Sequence, residues 1–252
     1  MNFLREMRLI FARNMTRHLR NPMWLIIGMI QPILYLLLFA PLLDGLRIPI
    51  FSSSNSLNGF TPGLLIMIAV SSMTFSGSGL LPDLHDGVIE RLRVTPASRV
   101  AMLLGMLLVD VVVFLCQCAL LVVMATLMGL RADLGGLVIL FGLLILVALA
   151  LGSFSYAISM IVKNQSTLAA IASSLILPVT LLSGVLLPLS LAPKTLQTIA
   201  DANPFYYTVE AARALIGGNL ASSSITLAFA LMAALALLLV LWVTRVFRQA
   251  TA

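Results

Sequence analysis

The sequence predicts an all-α, polytopic membrane protein with six transmembrane helices, an N-terminal interfacial helix and an extracellular re-entrant helical segment. Of its 252 residues, 61% are apolar and 10% are charged, and the mean hydropathy is +1.10. A soluble domain carries roughly 25% charged residues, so much of this chain must face lipid. No polar stretch reaches the roughly 50 residues of a separate soluble domain, which makes residues 1–252 a single membrane domain.

The first 20 residues predict an amphipathic helix on the inner membrane surface. At about 100° per residue, six apolar side chains share one face and four arginines are largely opposite. Such a helix places its apolar face in the leaflet and its arginines near anionic headgroups. The alternative is a basic tail that only fixes the topology. The apolar residues are Phe3, Leu4, Met7, Ile10, Phe11 and Met15, and the arginines are Arg5, Arg13, Arg17 and Arg20.

Six apolar segments follow, each near or above the about 20 residues that cross the hydrocarbon core. They cover roughly residues 23–43, 59–82, 100–129, 136–162, 167–187 and 222–244. The first has the length of a full span, and no small-residue cleavage site follows it. We therefore expect a retained span there and not a signal peptide.

The basic residues between the segments predict the orientation. With the N-terminus in the cytoplasm, eleven lysine and arginine residues lie on the cytoplasmic side and four lie on the other. Positive charge concentrates in cytoplasmic loops, so both termini are expected to be cytoplasmic. An even number of spans agrees with this orientation.

The connection over residues 188–221 is unusual for an external loop. It is rich in leucine, isoleucine and aromatic residues, yet Pro188, Pro193 and Pro204 interrupt it. It is therefore too apolar for a solvated loop and too broken for a span. Two short helices that dip into the outer leaflet would fit, provided that protein or a water-filled cavity covers their irregular backbone.

Several kinds of chemistry are excluded or disfavoured. A phosphate-binding loop needs a Gly-Lys pair, and the two lysines, Lys163 and Lys194, follow valine and proline. The sequence Ser76–Gly79 superficially resembles a nucleophile turn, but no histidine lies in any predicted span to act as its base. The two cysteines and two histidines have no metal-ligand spacing. We therefore expect no catalytic residue, no bound metal and no cofactor bound directly by this chain.

Polar side chains within the spans are candidates for a substrate pathway. Asp110 is the one acid well inside an apolar segment, about 16 Å along a helix from Arg99, and Gln117 shares its face. A carboxylate at that depth is costly and often functional, although a buried helix–helix hydrogen bond or a water-filled vestibule would also explain it. No basic residue is evidently placed to pair with Asp110. The other candidates are Ser72, Phe75, Ser173 and Ser174.

Pairs of small residues four apart recur in the fourth and fifth predicted spans. They include Ala148 with Gly152, Ser155 with Ser159, Ala169 with Ser173 and Ala170 with Ser174. Close helix packing is the usual meaning of this spacing. Hydroxyls that line a pathway are the alternative for Ser173 and Ser174.

The loop over residues 83–99 is the most charged connection. Acidic residues open it and arginines close it, as a short helix prefers because of its dipole, and Pro96 ends that helix. The pattern Asp-x-x-x-Gly-x-x-Glu-Arg-Leu-x-Val-Thr-Pro-x-Ser-Arg resembles the signature of ABC-2 type transporter permeases, and the daunorubicin-resistance type of drug exporter is the nearest group. Val88 and Ile89 stand where many members carry Thr-Leu.

Three weaker features agree with this resemblance, which covers nearly the whole chain. Gln31-Pro32 in the first span and Thr61-Pro62-Gly63 at the start of the second are similar to family patterns. The third resembles the family's extracellular re-entrant segment. Its residues are Asn203, Pro204, Phe205, Tyr206 and Glu210.

The resemblance implies a half-transporter in a bacterial plasma membrane that dimerises with an identical or paralogous subunit. Two copies of a cytoplasmic ABC ATPase subunit, which would bind ATP and Mg, are implied below it. The other expected partners are membrane lipids, and no nucleic acid is expected. The loop over residues 83–99 would be the coupling helix, with charge for register and apolar anchors for affinity. The contact residues would be Asp86, Gly87, Val88, Ile89, Glu90, Arg91, Leu92, Arg93 and Pro96.

The function implied is export of hydrophobic or amphipathic small molecules, such as drugs or lipids. A lipid-linked polysaccharide exporter is an alternative, although its channel would be rich in aromatics and only 7% of this chain is aromatic. An ion-coupled carrier is another alternative, but such a protein usually needs intramembrane charges and only Asp110 qualifies. For the loop, the alternative is that Glu90 and Arg91 pair with the N-terminal helix and brace the inner face.

Overall fold

Helices form the whole architecture in the part of the chain that the structure describes. The structure is a computed structural model that describes residues 3–20, 23–45, 56–85, 99–185 and 193–250. Within these ranges there are ten α-helices, one 3₁₀ turn and no strand, which confirms the predicted all-α class. The helices are α1 Phe3–Arg20, α2 Met23–Gly45, α3 Ser56–Thr74, α4 Leu80–His85, α5 Arg99–Leu127, α6 Leu134–Val162, α7 Gln165–Leu182, α8 Lys194–Asp201, α9 Pro204–Ile216 and α10 Ser223–Ala250, and the 3₁₀ turn is Ser76–Gly79.

Five stretches of the described residues are long and apolar enough to cross a membrane, as a polytopic membrane protein requires. They match the second to sixth predicted segments, and they are Leu57–Leu84, Val100–Leu127, Leu134–Val162, Gln165–Leu182 and Ser223–Phe247. The first predicted segment coincides with α2, a helix of 23 residues, of which Gly28–Leu38 counts as a shorter apolar helix. A total of six spans therefore stays a prediction.

Polar caps fix the short connection between α6 and α7. Lys163 ends α6 in the left-handed conformation, with a φ of 51°. Asn164 then caps α7, because its side chain accepts hydrogen bonds from the amides of Ser166 and Thr167 at 2.9 and 3.3 Å. The two helices are thus joined by only two residues.

Helix α6 lies at the centre of the bundle and packs against α3, α5, α7, α9 and α10. Its small pairs, Ala148 with Gly152 and Ser155 with Ser159, are all buried, as expected where helices pack closely. On α7 the corresponding residues Ser173 and Ser174 are exposed. The same spacing therefore marks close packing in α6 and an uncovered surface in α7.

Helix α1 forms over the predicted residues and packs along α5. Ile10 contacts a buried cluster that includes Leu103 of α5 and Phe247 of α10. The apolar face that was expected to lie in the inner leaflet is therefore partly covered by protein, although Leu9 and Leu19 are exposed. The position of α1 at the membrane surface stays a prediction.

Candidate functional site

Two short helices, α8 and α9, occupy the predicted external segment. Asn203 caps α9, because its Oδ1 accepts a hydrogen bond from the amide of Phe205 at 3.1 Å. Its Nδ2 donates to the carbonyl oxygen of Val179 on α7 at 3.4 Å. Pro204 takes the first helical position, where the missing N–H has no intrahelical acceptor to serve. The two predicted helices are confirmed, and their depth in the outer leaflet stays a prediction.

The aromatic residues of α9 divide between the core and the surface. Phe205 is buried in the main hydrophobic cluster, whereas Tyr206 and Tyr207 are half-buried and meet edge to face, with ring centroids 5.4 Å apart. The hydroxyl of Tyr207 donates to the carbonyl oxygen of Asp201 at 3.1 Å. Burial raises the pKa of Tyr206, and the carboxylate of Glu210 raises it further. Each of the two tyrosines thus presents a polar hydroxyl on an apolar ring, which suits a membrane interface.

Arg213 connects α9 to two other elements of the fold. Its Nε donates to the carbonyl oxygen of Gly59 on α3 at 3.2 Å, and a terminal nitrogen donates to that of Gly184, just after α7, at 2.8 Å. Its other terminal nitrogen is 3.0 Å from the carboxylate of Glu210. In the charge pattern, Arg213 is only one of the four basic residues predicted on the non-cytoplasmic side, together with Arg47, Arg131 and Lys194. Its two carbonyl partners are distant in sequence, at Gly59 and Gly184.

The first turns of α3 and the turn that follows α7 touch through their backbones beside this arginine. A Cβ atom on Gly63 would overlap the carbonyl group of Val185. Glycine is therefore required at this crossing, because any side chain would push the turn after α7 away from α3. This contact explains the glycine of the Thr61-Pro62-Gly63 pattern.

The second predicted span is broken, although its sequence predicted one apolar segment. Helix α3 ends at Thr74, the turn Ser76–Gly79 follows, and α4 begins at Leu80. The hydroxyl of Ser155 on α6 donates to the carbonyl oxygen of Thr74 at 2.6 Å and accepts from the amide of Gly77 at 3.0 Å. Ser155 thus replaces hydrogen bonds that a continuous helix would make, which permits irregular backbone inside the bundle.

Asp110 lies between three helices. The hydroxyl of Tyr156 on α6 donates to its Oδ2 at 2.7 Å, and Nε2 of His18 on α1 is 3.8 Å from its Oδ1. The sequence did not indicate that His18 lies beside Asp110, and the two side chains form an ion pair only when the imidazole is protonated. They meet because α1 packs against α5, a contact between distant parts of the chain that the sequence pattern did not indicate.

Asp83 at the end of the second span provides a further attachment for α1. Its carboxylate is 3.6 Å from a terminal nitrogen of Arg13 and 3.4 Å from one of Arg17, and its side chain is 10% exposed. The pKa of His18, on the same helix, is lowered by burial and then by the charge of Arg17. Helix α1 is thus joined to α4 through Asp83 and to α5 through Asp110.

The other candidate pathway residues lie on separate surfaces. Gln117 is buried, its Oε1 has no hydrogen-bond partner among the described residues, and a Cβ on Gly28 of α2 would be 3.1 Å from its Nε2. Ser173 and Ser174 are exposed on α7, and Ser174 donates to the carbonyl oxygen of Ala170 at 2.7 Å. Ser72 is half-buried, and Phe75 is exposed at the break in the second span. No hydrogen bond between described residues joins the α5 candidates to the α7 serines.

An apolar cavity of about 180 Å³ lies between α3, α6, α7, α9 and α10. The hydroxyl of Thr74, at its wall, donates its proton to the carbonyl oxygen of Val70, and the surface that faces the cavity is apolar. The cavity thus offers only van der Waals contact, which suits a hydrocarbon chain or ring. Its lining includes Val70, Phe154, Leu175, Val179, Phe205 and Leu235.

The part of the chain that the structure describes contains no metal centre. No group of three or more histidine, cysteine, aspartate or glutamate side chains is arranged there to hold a metal ion.

The predicted coupling residues lie outside the described ranges. They are Asp86, Gly87, Val88, Ile89, Glu90, Arg91, Leu92, Arg93 and Pro96.

Comparison with known proteins gives a consistent family. A family model described as ABC-2 type transporter matches residues 5–216. The chain is 30% identical, over 200 residues, to the daunorubicin resistance ABC transporter permease protein DrrB1 of Streptomyces coeruleorubidus, and this match covers 79% of the chain and 70% of that protein. It is 29% identical, over 84% of its length and 74% of the relative's, to ycf38 of Cyanophora paradoxa, which is named as a transport permease. The chain therefore belongs to the ABC-2 type transporter family.

Proposed function

We propose that this chain is the transmembrane permease subunit of an ATP-driven exporter of hydrophobic or amphipathic small molecules. Family membership supports a permease, and the drug-resistance relative supports small-molecule export. The apolar cavity between the spans is the observation that favours a hydrophobic substrate, because its wall provides contact area without polar partners. The permease would take such a molecule from the surrounding membrane lipids, in which it dissolves.

The energy for export would come from a separate cytoplasmic ABC ATPase, present in two copies and holding ATP and Mg. The chain has no Gly-Lys pair for a phosphate-binding loop, so work must reach it through a contact surface. Asp83 is the first residue of the proposed coupling loop over residues 83–99 and is paired with Arg13 and Arg17. A displacement of the loop would therefore reach α1 first, and it would reach α5 through the contact of His18 with Asp110.

The permease would work as a dimer with an identical or paralogous subunit. Helix α7 supports this, because only 11% of its 18-residue apolar stretch is buried within the chain. Its exposed surface carries both apolar side chains and the serines Ser173 and Ser174. We place both termini in the cytoplasm and the protein in a bacterial plasma membrane. Cysteines introduced by Ser54→Cys and Ser98→Cys test the orientation: an impermeant thiol reagent applied to intact cells should label the first and not the second.

Purification followed by reconstitution tests the function. A tagged chain solubilised from its native membranes should retain an ATPase subunit, and the complex in proteoliposomes should extrude a fluorescent amphipathic dye only when ATP is supplied. Dye export by the chain alone, driven by an ion gradient, would instead establish a secondary carrier. Retention of an ATPase without dye export would overturn the substrate class and leave the polysaccharide alternative to be tested.

A further inference from the structure

We propose that Arg213 is the positioning residue that holds the outer ends of α3 and α7 together, so that the exit opens only when its guanidinium group releases them. The identification of this end of the permease as the exit rests on the proposed transport function, whereas the Arg213 contact does not depend on that function. Arg213 makes three charge-assisted contacts, with Gly59 on α3, Gly184 after α7 and Glu210 on its own helix. One side chain thus joins three separate elements.

The carbonyl partners explain why this arginine is hard to replace. Gly184 lies two residues beyond the last residue of α7, so its carbonyl group receives no hydrogen bond within that helix. The guanidinium supplies a donor at 2.8 Å, and the side chain is 17% exposed, so water competes only weakly. Arginine can reach both carbonyl oxygens and the carboxylate together because its donors form a planar fork, whereas a lysine ammonium is a single compact charge.

The attachment matters most for α7, the helix that the rest of the chain covers least. Only 11% of the apolar stretch that forms α7 is buried, so few side-chain contacts oppose movement of this helix. Two contacts from α9 hold α7. Asn203 bonds to the carbonyl oxygen of Val179 in the outer half of α7, and Arg213 bonds to the carbonyl oxygen of Gly184 in the turn that follows α7. The crossing of Gly63 with Val185 lies at the same place, so release of Arg213 would let that backbone contact separate.

Glu210 provides a matched comparison. Its carboxylate holds the guanidinium from the same helix, but it is 41% exposed and touches neither carbonyl partner. An exposed ion pair contributes little, whereas a hydrogen bond from a charged donor to a buried acceptor contributes more. The proposal therefore predicts a large effect of removing Arg213 and a small effect of removing the charge of Glu210.

A buried reporter next to the attachment tests this without transport. Ser183 is fully buried at the end of α7, and its hydroxyl donates to the carbonyl oxygen of Thr180 at 2.9 Å. In a background of Cys116→Ser and Cys118→Ala, the Ser183→Cys thiol of the purified permease in lipid nanodiscs is titrated with a maleimide. Arg213→Gln should raise the labelling rate about tenfold or more, and Glu210→Gln should change it by less than about twofold.

An unchanged rate in Arg213→Gln, or an equal rise in Glu210→Gln, would overturn the proposal. If Arg213→Gln does not give a monodisperse protein, Arg213→Lys replaces it, because the charge is kept and only the fork is lost. Faster labelling of that variant supports the proposal, and parental labelling overturns it. The labelling needs neither an ATPase nor a substrate, so failure of the dye-export assay is recognised separately and removes only the identification of this end as an exit.

Discussion

Ser155 on α6 donates a hydrogen bond to the carbonyl oxygen of Thr74 on α3, with 2.6 Å between the two oxygens. The same hydroxyl accepts the amide of Gly77 at 3.0 Å. One side chain therefore satisfies two backbone groups at the point where the second span leaves the α-helical path. Lipid supplies no hydrogen-bond partners, so this break depends on the neighbouring helix.

Replacing Ser155 should destabilise the fold, and Ser153 on the same helix is the control. Ser155→Ala leaves a carbonyl and an amide group without partners, which should lower the free energy of unfolding by about 2 kcal/mol or more. The hydroxyl of Ser153 is buried and has no partner among the described residues, so Ser153→Ala should be neutral or stabilising. Thermal unfolding in detergent measures both, and equal midpoints for the two variants would contradict the role of Ser155.

The turn Ser76–Gly79 should tolerate a methyl group at one glycine and not at the other. A Cβ on Gly77 would overlap the carbonyl group of Ser155, whereas a Cβ on Gly79 has nothing within 4 Å. Gly77→Ala should cost about 1–3 kcal/mol of stability through overpacking, while Gly79→Ala should stay within about 0.5 kcal/mol. Unfolding midpoints of the purified variants decide this, and a tolerated Gly77→Ala would show that α3 and α6 can separate at this point.

Mild acid should loosen α1 through His18. Burial and the charge of Arg17 lower the pKa of His18 below its ordinary value of 6.5. The folded protein therefore binds this proton less readily than the unfolded chain does. Its contribution to stability is present above pH 6.5 and is lost as the pH falls through the lowered pKa. Between about pH 7 and pH 5 the unfolding midpoint of the parent should fall relative to that of His18→Gln, because the difference between the two midpoints isolates the protonation of residue 18. Parallel pH profiles for the two proteins would show that the pKa of His18 is the same in the folded and unfolded states, which would contradict this prediction.

Charge reversal at Glu90 should weaken assembly with the ATPase subunit. An exposed ion pair contributes only about 0–1 kcal/mol, so Glu90→Ala alone should do little. Glu90→Arg adds repulsion to the loss of attraction, and it should reduce co-purification of the ATPase and abolish substrate-stimulated ATP hydrolysis while the permease stays folded. Assembly, hydrolysis and export at wild-type levels in Glu90→Arg would remove Glu90 from the coupling contact.

The helices were predictable because each depends on local sequence. Runs of apolar residues indicated the long spans, and Pro193 and Pro204 marked the starts of α8 and α9. The break in the second span was not predictable, because the donor that permits it, Ser155, lies 78 residues after Gly77. From sequence alone, Ser76–Gly79 resembles a catalytic turn or an ordinary piece of helix. Only its contact with Ser155 on α6 shows that it is a break in the span.

The polar contacts of the candidate site were missed for the same reason. Asp110 stands out in the sequence as the one acid well inside an apolar segment, but His18 does not, and their contact depends on how α1 packs along α5. Arg213 could be assigned to the external side from its position, but its carbonyl partners are backbone groups and leave no pattern of side chains. A basic residue within a largely apolar helix was the available signal, and it does not specify which elements that residue joins.

The exposure of α7 has a consequence for how this chain can change over generations. A substitution at an outward-facing residue of that helix, such as Ser173 or Leu177, removes little packing within the subunit. Changes of this kind usually alter stability by less than about 0.5 kcal/mol. The fold of one subunit therefore tolerates changes on the surface of α7, whereas the buried face of α6 has no such freedom. Duplicated copies of this gene would be expected to diverge first along α7, and a copy that changed there would pair best with a partner that changed to match.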